Sequence, residues 1–186
     1  MERNATERGR EVRRGMLAAA VELITELGWN AVSTRLLAER AGVRPGLVHY
    51  HFASLPALLR EAAVGAMGAL ADTSPLAEVD DVDEGLALFL GVIDADGDGV
   101  SRLFSETYLA ATRDEELRRG ITGLIAGFND GVADWLARAG HPAPRETAPV
   151  LTAALDGLAL HKALNPSLDL GAAATVLRAM LKGDPS

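Results

Sequence analysis

The residues whose types and spacing could do chemistry are concentrated between Ser33 and Phe52, in the segment STRLLAERAGVRPGLVHYHF. Guanidinium groups bind guanine edges or phosphates, and phenol and imidazole groups hydrogen-bond to phosphate oxygens. Four residues of these types fall together near the end of the segment: Arg44, His49, Tyr50 and His51. This grouping indicates contact with a nucleic acid.

The same segment has the spacing of a helix-turn-helix. That motif needs a small residue where the second helix crosses the first, a glycine in the turn, and apolar residues that lock the two helices together. Ala38 is the small residue, Gly42 follows four positions later, and Val48 lies six positions beyond Gly42. We therefore predict that this segment is a DNA-binding helix-turn-helix.

Two other segments suggest metal chemistry, and each has a simpler interpretation. His49 and His51 could form a His-x-His metal pair, but on a helix residues i and i+2 point about 200° apart. The segment Asp94–Gly99 (DADGDG) matches the opening of a calcium-binding EF-hand loop. However, positions 8 and 12 of that loop would be Ser101 and Ser105. A turn rich in Gly and Asp is the favoured interpretation, and calcium binding is the alternative.

The composition is that of an ordinary globular protein and excludes several classes of function. The chain has 186 residues, of which 48% are apolar and 24% charged, and it has no cysteine. Disulfides, thiol catalysis and cysteine-ligated metal centres are therefore excluded. Because we find no catalytic triad order, phosphate loop or metal-ligand helix, we expect no enzyme activity, cofactor or metal. With neither a signal peptide nor a membrane span apparent, we expect a cytoplasmic protein.

Charge is distributed unevenly along the chain. Residues 1–60 hold nine Arg and six Glu, whereas residues 61–186 hold nine basic and twenty acidic residues. The asymmetry predicts a small basic domain that can approach a polyanion and a larger acidic domain that cannot.

The apolar periodicity predicts an all-α protein of about nine helices in two domains. We expect residues 1–53 to form an N-terminal arm and the helix-turn-helix domain, and residues 54–186 to form a second, helical domain. The first ten residues have no apolar period and are predicted to be a mobile arm. The first helix is then expected to run from Glu11 to Leu27 and to stop at Gly28.

At this point the chain resembles the TetR family of bacterial transcription regulators. The segments AAAVELITELGW, STRLLAERAGV, PGLVHYHF and LPALLREA match the family's N-terminal domain in order and spacing. The resemblance implies a three-helix DNA-binding domain, a helical domain that holds a small-molecule inducer, and a homodimer made by the last two long helices.

The resemblance also implies which residues touch double-stranded DNA. Residues at the start of the first motif helix would contact phosphates, residues of the second helix would face bases, and its last residues would hold the backbone. The candidates are, in chain order, Ser33, Thr34, Arg35, Arg44, Pro45, Gly46, His49, Tyr50 and His51. The family usually has Lys where this chain has Leu55, which removes one phosphate contact. We expect arginines of the N-terminal segment to compensate: Arg3, Arg8, Arg10, Arg13 and Arg14.

For residues 54–186, the resemblance implies a helical ligand-binding and dimerisation domain with an inducer cavity and a dimer interface. The candidate ligand-binding residues are Phe104, Tyr108, Phe128, Trp135 and His161, with core packing as the alternative role of each. The candidate interface residues are Leu151, Leu155, Leu158, Leu177 and Leu181, so Leu155→Asp is expected to yield monomers. Three glycines spaced by four, Gly123, Gly127 and Gly131, indicate close helix packing or, alternatively, room beside the cavity.

These observations predict a ligand-responsive transcription regulator, most simply a repressor. It would bind a pseudo-palindromic operator as a homodimer and be released by a small-molecule inducer, without membrane association. The alternative is a helical small-molecule-binding protein that has lost specific DNA binding.

Overall fold

The computed structural model describes residues 2–95 and 98–182, and these residues form helices joined by turns. The nine α-helices in those ranges are α1 (Glu2–Leu27), α2 (Thr34–Arg40), α3 (Pro45–His51), α4 (Leu55–Leu70), α5 (Val82–Ala95), α6 (Asp98–Ala111), α7 (Glu115–Arg138), α8 (Pro144–Leu164) and α9 (Leu170–Lys182). Short 3-10 helices occur at Trp29–Ala31 and Ser74–Glu78. The described ranges contain no strand, so the predicted all-α fold class is confirmed.

Helix α1 begins at Glu2, which corrects the prediction of a mobile arm over the first ten residues. That prediction relied on the missing apolar period. Propagating an existing helix costs far less than nucleating one, and Glu, Arg and Ala are good helix formers. The basic N-terminal segment therefore continues the helix that begins the hydrophobic core.

Local signals place the helix ends around the motif where the sequence predicts them. Gly28 ends α1 with a φ of +86°, a left-handed conformation that favours glycine. Ser33 caps α2 by accepting a hydrogen bond from the Leu36 amide at 3.3 Å. Ser54 caps α4 in the same way through the Ala57 amide at 3.2 Å.

The chain forms two compact units. The first contains the described residues up to Ala69 together with Ser105–Ile121, and the second contains Leu70–Phe104 and the residues from Thr122 onward. Three helices, α4, α6 and α7, therefore contribute residues to both units. The predicted boundary between residues 53 and 54 is a functional division and stays a prediction.

The first unit has buried apolar residues on each of its helices. The largest that are fully or almost fully buried come from α1, α2, α3, α4 and α7: Met16, Leu23, Ile24, Leu37, Val48, Leu58 and Leu117. Phe52, directly after α3, is buried as well. The motif helices are thus fixed by apolar packing on one face, which leaves their other face free.

In the second unit, α5 packs against α8 and α9. Trp135 of α7 is fully buried and lies so close to Gly85 of α5 that a Cβ there would stand 2.1 Å from its ring. The Phe89 ring meets Trp135 edge-on, with centroids 5.8 Å apart. Gly85 is therefore required by this contact between α5 and α7.

The leucines assigned from sequence to the dimer interface lie in this core. Leu151, Leu155, Leu177 and Leu181 are buried, and Leu158 packs against them partly buried. Both sides of α8 and α9 carry apolar residues, so helical periodicity alone did not distinguish the core side from the outer side. A side chain packed inside one protomer has little surface left for a partner, and the assignment of these leucines to a dimer interface stays a prediction.

Of the three spaced glycines, one makes a close contact within the described chain. A Cβ on Gly131 would lie 2.2 Å from the Thr73 hydroxyl, whereas Gly123 and Gly127 face open space. The proposed Asp94–Gly99 turn includes residues 96 and 97, which lie outside the described residues. Within the described part of the chain, none of the helices has the length and apolar character needed to cross a membrane.

Candidate nucleic-acid interface

The predicted helix-turn-helix is formed by α2 and α3, which pack against each other. Ala38 and Val48 are buried at their contact. The chain turns at Gly42, whose φ is +66°, and the Val43 amide donates to the Ala38 carbonyl at 2.9 Å. Ala38, Gly42 and Val48 thus have the roles that the helix-turn-helix motif requires.

Nearly all the candidate DNA contacts lie on the solvent side of this motif. Ser33, Arg35, Arg44, Pro45, Gly46, His49 and Tyr50 are exposed, and Thr34 and His51 are half-buried. Tyr50 is 80% exposed, which is unusual for an aromatic side chain in a folded domain. Its ring meets that of His51 edge-on at 5.0 Å. The two side chains therefore form one pair at the end of α3, in which Tyr50 is exposed and His51 is half-buried.

Arg35 and Arg44 form no ion pair within the part of the chain that the structure describes. Arg44 is the N-cap residue of α3, so its side chain starts where the second motif helix begins. Their guanidinium groups are available to bases or phosphates without the loss of an internal contact.

Arg40, in contrast, is used within the fold. Its guanidinium group bonds Glu26 of α1 at 2.7 Å and Glu22 at 3.1 Å. These hydrogen bonds raise the pKa of Arg40, and the bond from Arg40 lowers the pKa of the Glu26 carboxyl. Arg40 therefore ties α2 to α1. Sequence reasoning missed this role because the acidic partners precede the motif by more than a helical turn.

The start of α4 carries no cationic side chain near the motif. Leu55, at the position where a Lys was expected by resemblance, is half-buried. The nearest basic residue along α4 is Arg60, which bonds Asp114 at 2.9 Å and Glu116 at 2.8 Å. The backbone amide of Leu117, then Arg60, hold the pKa of Asp114 below its usual range. Arg60 thus joins α4 to the start of α7 and does not replace the missing Lys.

Glu106 of α6 is a further residue that the sequence did not single out. Its carboxylate accepts a hydrogen bond from the Trp29 amide at 2.7 Å, between α1 and α2, across a separation of 77 residues. The same carboxylate lies against Gly28, whose Cβ, if present, would be 3.2 Å from it. Glu106 therefore fixes the segment that leads from α1 into the motif.

We expect Glu106→Ala to lower the free energy of unfolding by about 2 kcal/mol, because it leaves a partly buried amide without its charged acceptor. Glu106→Gln keeps an acceptor oxygen and should recover more than half of that loss. Urea unfolding measures both variants, and hydrogen exchange at the Trp29 amide reports the contact itself. Equal stability of Glu106→Ala and the wild type would contradict this role.

The candidate ligand residues are placed in different surroundings. Phe104, Phe128, Trp135 and His161 belong to the second unit, and Tyr108 belongs to the first. Phe128 meets Phe89 edge-on at 5.6 Å, so Phe89, Phe128 and Trp135 form one aromatic cluster. The indole nitrogen of Trp135 is buried without a hydrogen-bond acceptor in the described chain. His161 is exposed, and Phe89 is a member of the cluster that sequence reasoning did not name.

Comparison with known families matches both parts of the chain. Residues 16–62 match the family model described as bacterial regulatory proteins, tetR family. Residues 77–183, more than half of the chain, match the model described as tetracyclin repressor-like, C-terminal domain. The first match contains α2 and α3, and the second contains α5 to α9.

Individual proteins match over nearly the whole length. An uncharacterized HTH-type transcriptional regulator of Mycobacterium tuberculosis is 25% identical over 180 residues, covering 91% of this chain and 92% of the relative. A structure described as a transcriptional regulator of Streptomyces coelicolor has 28% identity and a TM-score of 0.75, covering 92% of this chain and 98% of that one. A regulator of Saccharomonospora viridis, solved in complex with choline, has 20% identity and a TM-score of 0.78, covering 94% and 97%. At that identity the last match shows the fold alone.

Proposed function

The chain belongs to the TetR family of bacterial transcription regulators, and on that premise we propose that it is a repressor that binds a pseudo-palindromic operator as a homodimer and leaves it when a small molecule binds. The family and the relatives are DNA-binding regulators, and the chain is accordingly not an enzyme. We further propose that it works in the cytoplasm, where its operator would be.

The observation that carries the proposal is the exposed face of α3. Arg44, at the N-cap of the helix, forms no ion pair within the described chain, and the exposed side chains of His49 and Tyr50 follow on α3. A helix of this kind enters the major groove, where an arginine can bind guanine and the flanking polar groups bind phosphates. We propose that Arg44, Pro45, Gly46 and His49 face bases. Ser33, Thr34, Arg35, Tyr50 and His51 would then hold the backbone.

A homodimer is supported by the outer sides of α8 and α9. These sides expose large apolar residues at helical spacing: Val150, Leu160, Leu164, Val176 and Met180. Leu164 is 78% exposed, and so much exposed apolar area on two consecutive helices is typical of an interface. We propose that α8 and α9 of two protomers form an intersubunit four-helix bundle. The five exposed residues replace the leucines chosen from sequence.

Ligand binding is proposed for the second unit. The structural neighbour from Saccharomonospora viridis holds choline, so this fold can hold a small molecule. In this chain the aromatic cluster of Phe89, Phe128 and Trp135 is the feature that a ligand would meet there, and its apolar surface favours a largely apolar molecule. Phe104, Tyr108 and His161 stay candidates.

The response to ligand would follow from two states of the dimer. In one, the spacing of the two α3 helices matches successive major grooves, and in the other it does not. A ligand that prefers the second state lowers operator affinity by no more than the ratio of its affinities for the two states.

The test is fluorescence anisotropy of the purified protein with duplexes tiled across its own upstream region. We expect saturable binding to one palindromic tile, and at least a tenfold loss of affinity in Arg44→Ala, because a bidentate base contact contributes about 1–3 kcal/mol of discrimination. Arg145→Ala is the matched control, since Arg145 is exposed on α8 and forms no ion pair within the described chain. If no tile binds, the proposed operator does not lie in the upstream region. Selection from a random duplex pool then identifies the sequence that the protein binds.

The alternative function, a ligand-binding protein without specific DNA binding, is favoured by one observation. The start of α4 offers no cation, because Leu55 is half-buried and Arg60 is paired. Salt dependence separates the two functions, since DNA affinity falls steeply with salt and small-molecule binding hardly changes. Weak binding to every duplex, equal in the wild type and Arg44→Ala, would favour this alternative.

A further inference from the structure

The N-terminal part of α1 forms a basic groove beside the motif. The groove has a volume of about 260 Å³ and is lined by Glu7, Arg10, Arg13 and Arg14. Three guanidinium groups and one carboxylate give these four residues a net formal charge of +2. We propose that this groove binds the DNA backbone as a second phosphate-binding site, separate from α3. The proposal rests on the proposed DNA-binding function and extends it to α1.

The groove adjoins the C-terminal end of α3 through Arg13. The guanidinium carbon of Arg13 lies 4.7 Å from the centroid of the Phe52 ring, and Phe52 directly follows α3. Arg13 also bonds Glu61 of α4 at 2.5 Å, which holds its side chain in place. One wall of the groove is thus fixed to the end of the motif that carries Tyr50 and His51.

The other two arginines are available to a ligand. Arg10 and Arg14 lie within one helical turn of Arg13, are exposed, and form no ion pair with any residue whose side chain the structure describes. Because α1 is helical from Glu2, both side chains project from a regular helix and lose less conformational freedom on binding than they would from a mobile arm. They are the residues that we assign to phosphate.

Duplex DNA is the occupant that the charges favour. A groove with excess positive charge attracts an anion, and a motif helix seated in DNA brings the neighbouring phosphates within reach of the adjoining surface. The first turn of α4, where the resemblance led us to expect a phosphate-binding Lys, has the half-buried Leu55 instead. Arg10 and Arg14 would provide cationic contacts that this turn does not.

The test uses the full-length protein and two labelled duplexes of equal length, the operator found as above and a random sequence. Anisotropy titrations at several salt concentrations give the affinity and its salt slope. Because each phosphate neutralised contributes about −0.9 to the slope of log K against log salt, the double variant Arg10→Ala with Arg14→Ala should reduce the slope by about 1.8. Affinity for both duplexes should fall by the same factor, since phosphate contacts carry no sequence information.

Two further variants sharpen the result. Arg118→Ala with Arg119→Ala removes the same charge from exposed positions of α7 and should leave the salt slope unchanged. Glu7→Gln removes the acidic side chain among the four described lining residues and should raise affinity for both duplexes.

An unchanged slope in the α1 double variant, with the wild type binding normally, would overturn the second site and leave the proposed function intact. A loss confined to the operator would also overturn it, because the arginines would then read bases. If the wild type bound neither duplex, the proposed function would fail, and the site with it. Circular dichroism of each variant verifies that the total helix content is unchanged.

Discussion

Replacing Val176 and Met180 by aspartate should convert the protein from dimers to folded monomers. Both side chains are exposed on α9, at 60% and 65%, so neither change disturbs the core of the second unit. In the proposed four-helix bundle the same two positions meet the partner, and twofold symmetry places four carboxylates in one interface. Each buried, unpaired charge costs about 3 kcal/mol or more, so we expect dissociation at micromolar concentration.

Light scattering measures the mass and so distinguishes monomer from dimer, and an operator-binding titration measures the effect on DNA affinity. A monomer holds one half-site instead of two, and loses the gain from simultaneous engagement, so operator affinity should fall by roughly a hundredfold or more. Val92→Asp is the control, because Val92 is 46% exposed and belongs to α5, which is not one of the two helices proposed to form the bundle. A double variant that remains dimeric would place the interface elsewhere, and a monomeric wild type would remove the proposed dimer altogether.

The second large effect is expected at Leu155. Leu155→Asp places a carboxylate in the core of one protomer, where the leucine is 6% exposed. Losing the buried side chain and burying a charge without a partner should cost about 5 kcal/mol, which is comparable to the whole stability of a typical domain. We therefore expect an unfolded or insoluble protein and not the folded monomer that the sequence alone suggests.

Urea unfolding followed by far-ultraviolet circular dichroism distinguishes these outcomes. Leu155→Met is the control, because a volume-conserving change costs less than about 1.5 kcal/mol and should leave a folded dimer. A different outcome is a Leu155→Asp protein that unfolds cooperatively near the wild-type midpoint and is monomeric in light scattering. That result would show that the dimer interface lies on the side of α8 that contains Leu155.

The contrast between these two experiments shows where sequence periodicity is insufficient. Helices α8 and α9 have apolar residues on both sides, with Leu155 and Leu177 on one and Val150 and Val176 on the other. A helical period predicts that a helix is amphipathic or buried, but it does not say which side meets which neighbour. Packing against α5 decides that Leu155 and Leu177 are inside. The exposed residues on the other side can be proposed as an interface only after the core side is known.

The sequence also could not predict which arginines are available to bind DNA, because that depends on packing between helices. The nine arginines of the first sixty residues look alike in the sequence. In the structure Arg13 pairs with Glu61. Arg40 pairs with Glu22 and Glu26, and Arg60 pairs with Asp114 and Glu116. These partners lie on other helices, so chain spacing carries no signal for them. Arg35 and Arg44 form no ion pair with any side chain that the structure describes.

The sequence by itself determined the all-α fold and the helix-turn-helix, because both depend on local effects. Helical periodicity, the Ser33 cap, the Gly28 and Gly42 turns, and the Ala38 to Val48 spacing act within about twenty residues of chain. The tertiary structure alone decided the core side of α8, the free arginines and the contact of Glu106 with the Trp29 amide. Those features join residues that are distant in the chain, and they exist only after apolar burial has brought the helices together.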